Sequence, residues 1–226
     1  MAKIRPKIHF LCSACGDDFP KWYGQCPSCK EWGSLSEYKI SHKKNGRKLE
    51  TRESRSLASI LAQEPGTRIS TGLKEADRVL GGGLLSGSLL LLGGSPGVGK
   101  STLALHICAG IDRKAFYVSA EESEEQVGLR ARRLNVNSEH LHLSGENELD
   151  GIISHIERIC PDLVIIDSIQ TIMNSGLDSL PGSPSQLRDC GQRFLEVSKQ
   201  KGVIIMIIGH VTKEGIIAGP KMLEHM

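Results

Sequence analysis

A chain of 226 residues with 39% hydrophobic and 24% charged side chains is long enough for one α/β domain with a buried core plus a small appendage, and too apolar for a disordered segment. Its formal charge of +2 is too near zero to argue for a nucleic-acid partner by itself, and aromatic residues at 4% leave the core to Leu, Ile and Val. Seven cysteines, an odd number with four inside residues 12–29, argue against a disulfide framework; no run approaches the roughly 18 apolar residues of a membrane span, and Met1-Ala2-Lys3-Ile4-Arg5-Pro6 lacks the apolar stretch of a secretory signal. The expected setting is a reducing cytoplasm, with no membrane.

Three blocks follow one another. In residues 1–38, Cys12-x2-Cys15 is followed ten residues later by Cys26-x2-Cys29. Two such pairs supply four thiolates for one tetrahedral Zn2+ at about 2.3 Å per bond. Gly16 after the first pair and Pro27 inside the second suit the tight knuckles that turn sulfurs inward. Four ligands leave no open position, so the centre is read as a structural, four-cysteine zinc ribbon that draws its folding energy from the metal. Trp22 and Trp32 are expected to pack beside it. Residues 39–56 are polar and basic, with seven Lys and Arg (Lys39, Lys43, Lys44, Arg47, Lys48, Arg52, Arg55) against Glu50 and Glu53, and read as a linker.

From residue 57 to 226 apolar runs alternate with helical patterns, as βαβ units do. Strands are predicted over 88–92, 115–119, 162–166 and 202–208. Helices are predicted over 99–109, 122–134 (Val127, Leu129 and Leu134 inward), 147–159 and 185–200, with a loop over 174–184. The strands are continuously apolar rather than alternating, which predicts a mostly parallel sheet covered on both faces.

Gly94-Ser95-Pro96-Gly97-Val98-Gly99-Lys100-Ser101 fits G-x4-G-K-S, after a predicted strand and before a predicted helix, as the motif requires. Glycines let backbone N–H groups turn toward phosphate oxygens, and the helix N-terminus adds its partial positive charge. Lys100 is expected to reach the β- and γ-phosphates of ATP and Ser101 to ligate Mg2+; Thr102 is either a bystander or an α-phosphate contact. A second acid for Mg2+ is expected where Leu163-Val164-Ile165-Ile166-Asp167 ends a strand in a carboxylate. Hydrolysis also needs a group that orients and deprotonates water. Glu121 is the first choice and Glu122 the alternative, with Glu122 otherwise capping the next helix. His210, after residues 202–208, is a candidate γ-phosphate sensor, or a solvated strand-end histidine.

Together these residues resemble the RadA (Sms) family of bacterial DNA repair proteins. The resemblance is carried by the ribbon with Trp22-Tyr-Gly-Gln-Cys26 and Trp32-Gly33, by Ser70-Thr-Gly72 and Asp77-Arg-Val-Leu-Gly81, by the phosphate loop, and by Tyr117-Val-Ser-Ala-Glu121. Asp167-Ser-Ile-Gln170-Thr171 and Gly209-His-Val-Thr-Lys213-Glu-Gly215 complete it. It implies a RecA-like P-loop core, DNA-stimulated ATP hydrolysis, hexameric rings, work on branched recombination intermediates and a recombinase partner. In that frame Lys100 and Ser101 are the phosphate and metal residues, Asp167 the Walker B acid, Glu121 the catalytic glutamate and His210 the sensor. Such proteins continue past this point through a Lys-Asn-Arg-Phe-Gly motif and a protease-like domain, so the chain is expected to be a fragment or a truncated form. In a RecA-like ring, loops near 174–186 and 211–220 face single-stranded DNA, with Arg188 and Lys213 as candidate phosphate contacts. A different class stays open: an ATP-switched module that acts on protein partners.

Overall fold

The computed structural model describes residues 7–14, 17–40, 54, 56–61, 68–177 and 179–210. They form two sheets. The first is a three-stranded antiparallel sheet of β1 (Lys7–Cys12), β2 (Asp18–Phe19) and β3 (Leu35–Ile40), with β1 in the centre. β3 runs two residues into the predicted linker; residues 41–53 of that linker lie outside the described residues. A short helix, α1 (Leu57–Leu61), follows.

The second sheet has five strands in the order β4 (Leu89–Gly94), β8 (Ile204–His210), β7 (Leu163–Asp167), β5 (Ala115–Ser119), β6 (Leu141–Ser144), and each neighbouring pair is parallel. The connecting helices are α3 (Lys100–Gly110), α4 (Glu124–Arg133), α5 (Leu149–Ile159) and α6 (Pro184–Lys201). Side chains of β5, β7 and β8 alternate between two cores. Phe116, Val118, Val164, Ile166, Ile205 and Ile207 meet α5 and α6 through Ile152, Ile156, Leu187 and Phe194. Ala115, Tyr117, Leu163, Ile165, Ile204 and Met206 meet α3 and α4 through Leu105, Cys108 and Val127. Burial on both faces is why these strands read as unbroken apolar runs.

The predicted elements of the core are present, with ends shifted by a few residues. Two details differ. Leu129, expected inward, is 62% exposed, because α4 turns Val127 and Leu134 to the sheet and its remaining faces outward. The cap of α4 is Ser123, not Glu122. The Ser123 hydroxyl accepts from Gln126 N while the Gln126 side chain accepts from Ser123 N, a reciprocal capping box. β6 was not expected: four residues of alternating Leu and polar side chains are too short to stand out beside a charged helix.

The Ser70-Thr-Gly72 and Asp77 motif has a local physical purpose. Within α2 (Lys74–Val79), Asp77 accepts from the Ser70 hydroxyl, the Thr71 N–H and the Thr71 hydroxyl, and these bonds, the Ser70 hydroxyl first, hold its carboxyl below the ordinary value. The turn so fixed lies against the end of α3. A Cβ on Gly110 would overlap the Thr71 carbonyl, and Gly72 itself has φ +75°. Gly110→Ala, normally favourable by about 1 kcal/mol in a helix, is therefore expected to lower unfolding free energy by roughly 1–3 kcal/mol through overpacking; denaturant titration of the two proteins measures the sign.

Candidate nucleotide site and metal centre

Three sulfurs of the ribbon converge. Ligand atoms of Cys12, Cys26 and Cys29 all lie within 4.8 Å of one another, and the Cys12 and Cys29 sulfurs are 3.6 Å apart. A tetrahedron with bonds of about 2.3 Å has edges of about 3.8 Å, close to the separation of the Cys12 and Cys29 sulfurs, so the three thiols suit a shared Zn2+. Cys15 and Gly16 lie outside the described residues. Two knuckles aim the thiols. Cys12 N donates to Asp17 O (2.9 Å), Cys26 N to Glu31 O (2.9 Å) and Lys30 N to Cys26 O (3.0 Å), with Lys30 in the left-handed region at φ 63°. Cys12 Sγ also lies 3.2 Å from Ser34 Oγ, an outer-layer hydroxyl of the kind that steadies a bound thiolate.

The tryptophans do not cover this centre. Cys12, Cys26 and Leu35 are packed by Phe10 and Phe19, whereas Trp22 and Trp32 face solvent. Ribbons this small are held by their metal. Protein purified without chelator is expected to carry one zinc per chain by elemental analysis, and Cys26→Ser to lose it while the thermal transition of the five-stranded core persists.

In the core, register decides what meets at one edge. Gly94 pairs with His210, and Ser119 with Asp167, so the C-terminal ends of β4, β8, β7 and β5 come out together. The 94–101 loop leaves β4 and enters α3 with Gly97 at φ +79° and Gly99 at φ +98°, values that favour glycine, and a Cβ at either would meet nothing within 4 Å. Lys100 is buried, and its ammonium donates to Gly94 O at 2.8 Å and Ser95 O at 3.0 Å. Those bonds use two of its three N–H groups. Ser101 and Thr102, both half-buried, stand in the first turn of α3, and Val98 is 67% exposed on the loop.

Asp167 is buried at the end of β7 and accepts a 2.5 Å hydrogen bond from the Tyr117 hydroxyl. Burial first, and the adjacent Asp167 charge second, push the Tyr117 phenol above its ordinary value, with Arg130 opposing. The phenol thus stays protonated and donates. Ser168, after a cis Asp167–Ser168 peptide, donates its hydroxyl to Glu121 at 2.5 Å. Glu122 turns away into a bidentate pair with Arg130 at 2.9 and 3.1 Å. Of the two glutamates, Glu121 is therefore the one tied to the end of β7.

His210 is in β8, but its side chain lies outside the described residues, as does Lys213. Arg188 is not in a loop: it is half-buried on α6. Asn174 and Ser179, before it in the chain, are tied to α6. Gln186, 1% exposed, accepts from Asn174 N and donates to Asn174 O and Ser179 O. Tyr117 is the site residue that reading the sequence missed. A phenol inside Ala-Phe-Tyr-Val-Ser reads as core, and only the β5–β7 register shows its partner.

A family model described as an AAA domain matches residues 62–215, and one described as a rubredoxin metal binding domain matches residues 10–37. The chain belongs to the AAA domain family. It is 43% identical over its full length to the DNA repair protein RadA of Bacillus subtilis, 44% identical over 98% of its length to that of Rickettsia bellii, and 42% identical over its full length to that of Synechocystis. It spans about half the length of these curated relatives, 51%, 50% and 51% in turn. No helix among the described residues is long and apolar enough to cross a membrane.

Removing the Tyr117 hydroxyl leaves the buried Asp167 carboxylate without that donor. Tyr117→Phe is expected to lower unfolding free energy by about 1.5–3 kcal/mol, the range for a hydrogen bond to a charged group, read from denaturant midpoints at constant slope.

Proposed function

We propose that this chain carries the ATP-binding core of a DNA-dependent ATPase that acts in DNA repair on recombination intermediates. The observation that carries the reading is the convergence of the 94–101 loop, Asp167 and Glu121 on one edge of a parallel sheet, the edge where such sheets bind ligands. The shared name of the relatives supports the repair setting. In this reading residues 1–38 are the ribbon, 39–56 a basic tether and 57–226 the core.

Backbone N–H groups of Gly97, Val98 and Gly99 bond the phosphate oxygens, and Lys100 turns its ammonium from the loop carbonyls to the β- and γ-phosphates. Ser101 and Asp167 hold Mg2+, which when bound screens the charge of the phosphate oxygens. Glu121 orients a water and accepts its proton as the water oxygen bonds the γ-phosphorus; the bond to the β–γ bridging oxygen breaks, leaving ADP and inorganic phosphate. Thr102 lines the α-phosphate side, and His210 senses whether the γ-phosphate is present. Single-stranded or branched DNA, a ring of six subunits and a recombinase are the proposed partners.

Turnover by the full chain is expected to rise on adding single-stranded DNA. Lys100→Ala should abolish hydrolysis with the fold intact by circular dichroism. Glu121→Gln should still bind ATP yet lose activity on the order of a hundredfold or more, the scale of a general base. Unchanged turnover in Lys100→Ala would sink the assignment.

A further inference from the structure

Among the described residues the five-stranded sheet ends at β6, and the helix layer over one of its faces stops short of that edge. α5 lies over β5, where Phe116 is fully buried. His142 of β6 is the register partner of Phe116, shares its face of the sheet, and is exposed. A cavity of about 470 Å3 occupies the gap. Phe116, His142 and Leu143 line it from the sheet, and His155, Arg158 and Ile159 from α5. Lys114, the residue before β5, lines it as well.

Four of these side chains carry nitrogen, and two pairs of bonds set how they stand. The His155 ring stacks on Phe116, with centroids 5.8 Å apart and planes at 28°. Its Nδ1 is 2.7 Å from Nη2 of Arg158. A guanidinium only donates, so Nδ1 accepts and the proton of the neutral ring sits on Nε2. Lys114 Nζ donates to Ile159 O at 3.0 Å, at the C-terminal end of α5. One bond each holds these two cations in place and leaves them further N–H groups to donate. Side chains already anchored lose less freedom when a ligand arrives.

No carboxylate lines the cavity among the described residues. The neighbouring acids are engaged by other groups: Asp162 by Arg113 at 3.7 Å and by the Lys114 backbone N–H at 3.3 Å, Glu157 by Lys201 at 3.0 Å, and Asp150 by Arg193 at 3.1 Å. The carbonyl end of α5 contributes about half a negative charge, which the Lys114 ammonium meets directly. The balance inside is positive, from Lys114 and Arg158, with two imidazoles as additional donors. A phosphate group offers free oxygens to donors that arrive from β5, β6 and α5, and it suits the planar fork of an arginine. The volume is that of pockets that hold small organic ligands, and Leu143 and Ile159 give such a ligand an apolar wall.

We propose that this cavity binds a small organic phosphate, with Lys114, Arg158, His142 and His155 around the phosphate group and the organic part against Leu143 and Ile159. Lys114 precedes β5 and Glu121 follows it, so the cavity lies at the other end of that strand from the nucleotide edge. It is a second site, independent of what the 94–101 loop holds.

Two of the eight histidines of the sequence stand in the cavity, so imidazole nitrogen–proton spectra of the whole chain report on it directly, with His142→Gln and His155→Gln to assign the signals. At matched pH, inorganic phosphate is expected to move both signals saturably at millimolar concentration, and adenosine 5′-monophosphate to do so at lower concentration. Adenosine, and sodium chloride at equal ionic strength, should leave them in place. Arg158→Ala and Lys114→Ala should each weaken the monophosphate on the order of tenfold or more, the scale of a lost hydrogen bond to a charged group, with the thermal transition retained; Arg158→Lys should weaken it less. Lys100→Ala should leave these shifts unaltered, which separates this site from the phosphate loop. Signals that neither phosphate nor the monophosphate moves, equal shifts with adenosine, or full affinity in the folded Lys114→Ala, Arg158→Ala double variant overturn the proposal, while the ATPase reading stands on its own tests.

Discussion

Burying β5, β7 and β8 on both faces leaves only their ends where polar groups can stand without a desolvation cost. That constraint arranges the rest of the core. Their middles carry Phe116, Val118, Leu163, Val164, Ile165, Ile205 and their neighbours, all inaccessible to water. Parallel register then brings the C-terminal ends out at one edge, with Gly94 beside His210 and Ser119 beside Asp167. The 94–101 loop, the Asp167 carboxylate and Glu121 collect at that edge, where such sheets bind ligands.

Most of that arrangement was legible in the sequence for the same reason. Continuous apolar runs such as Leu163-Val164-Ile165-Ile166 signal two-sided burial, and the first polar residue after each run marks the edge. Gly97 and Gly99 were legible because positive φ is a demand that one residue type meets readily. What could not be read were relations between strands. Tyr117 looked like core because nothing local to it names Asp167 as a partner. Leu129 looked inward because helical spacing gives a stripe but not its edges. Trp22 and Trp32 looked like packing for the zinc centre because large apolar rings usually are, yet the smaller Phe10, Phe19 and Leu35 had already closed it.

The two units solve the problem of small size differently. The core buries two continuous layers against its sheet. Among its described residues the ribbon buries only Leu11, Cys12, Cys26 and Leu35 of its apolar side chains, so tight turns about sulfur contribute more to its geometry than apolar area does. A unit folded around metal can leave its large aromatic residues outside without losing its fold, which an aliphatic miniature core of that length could not do.

Within the site, the two carboxylates are held by an exchange between neighbouring strands. β5 supplies the Tyr117 hydroxyl to Asp167 on β7; the residue after β7, Ser168, supplies its hydroxyl to Glu121 just past β5; and Ala120 N donates to Asp167 O at 3.2 Å between them. Each strand end thus fixes the acid of the other. If Asp167 holds a metal and Glu121 a water, their separation is set by paired backbones rather than by either flexible side chain. Glu122 is kept out of the same space by Arg130, whose two nitrogens bind both of its oxygens, so its negative charge is held away from the strand ends. The sequence Glu121-Glu122 looks redundant, but the fold gives the pair opposite directions: one toward the strand ends, the other into a salt bridge that secures α4.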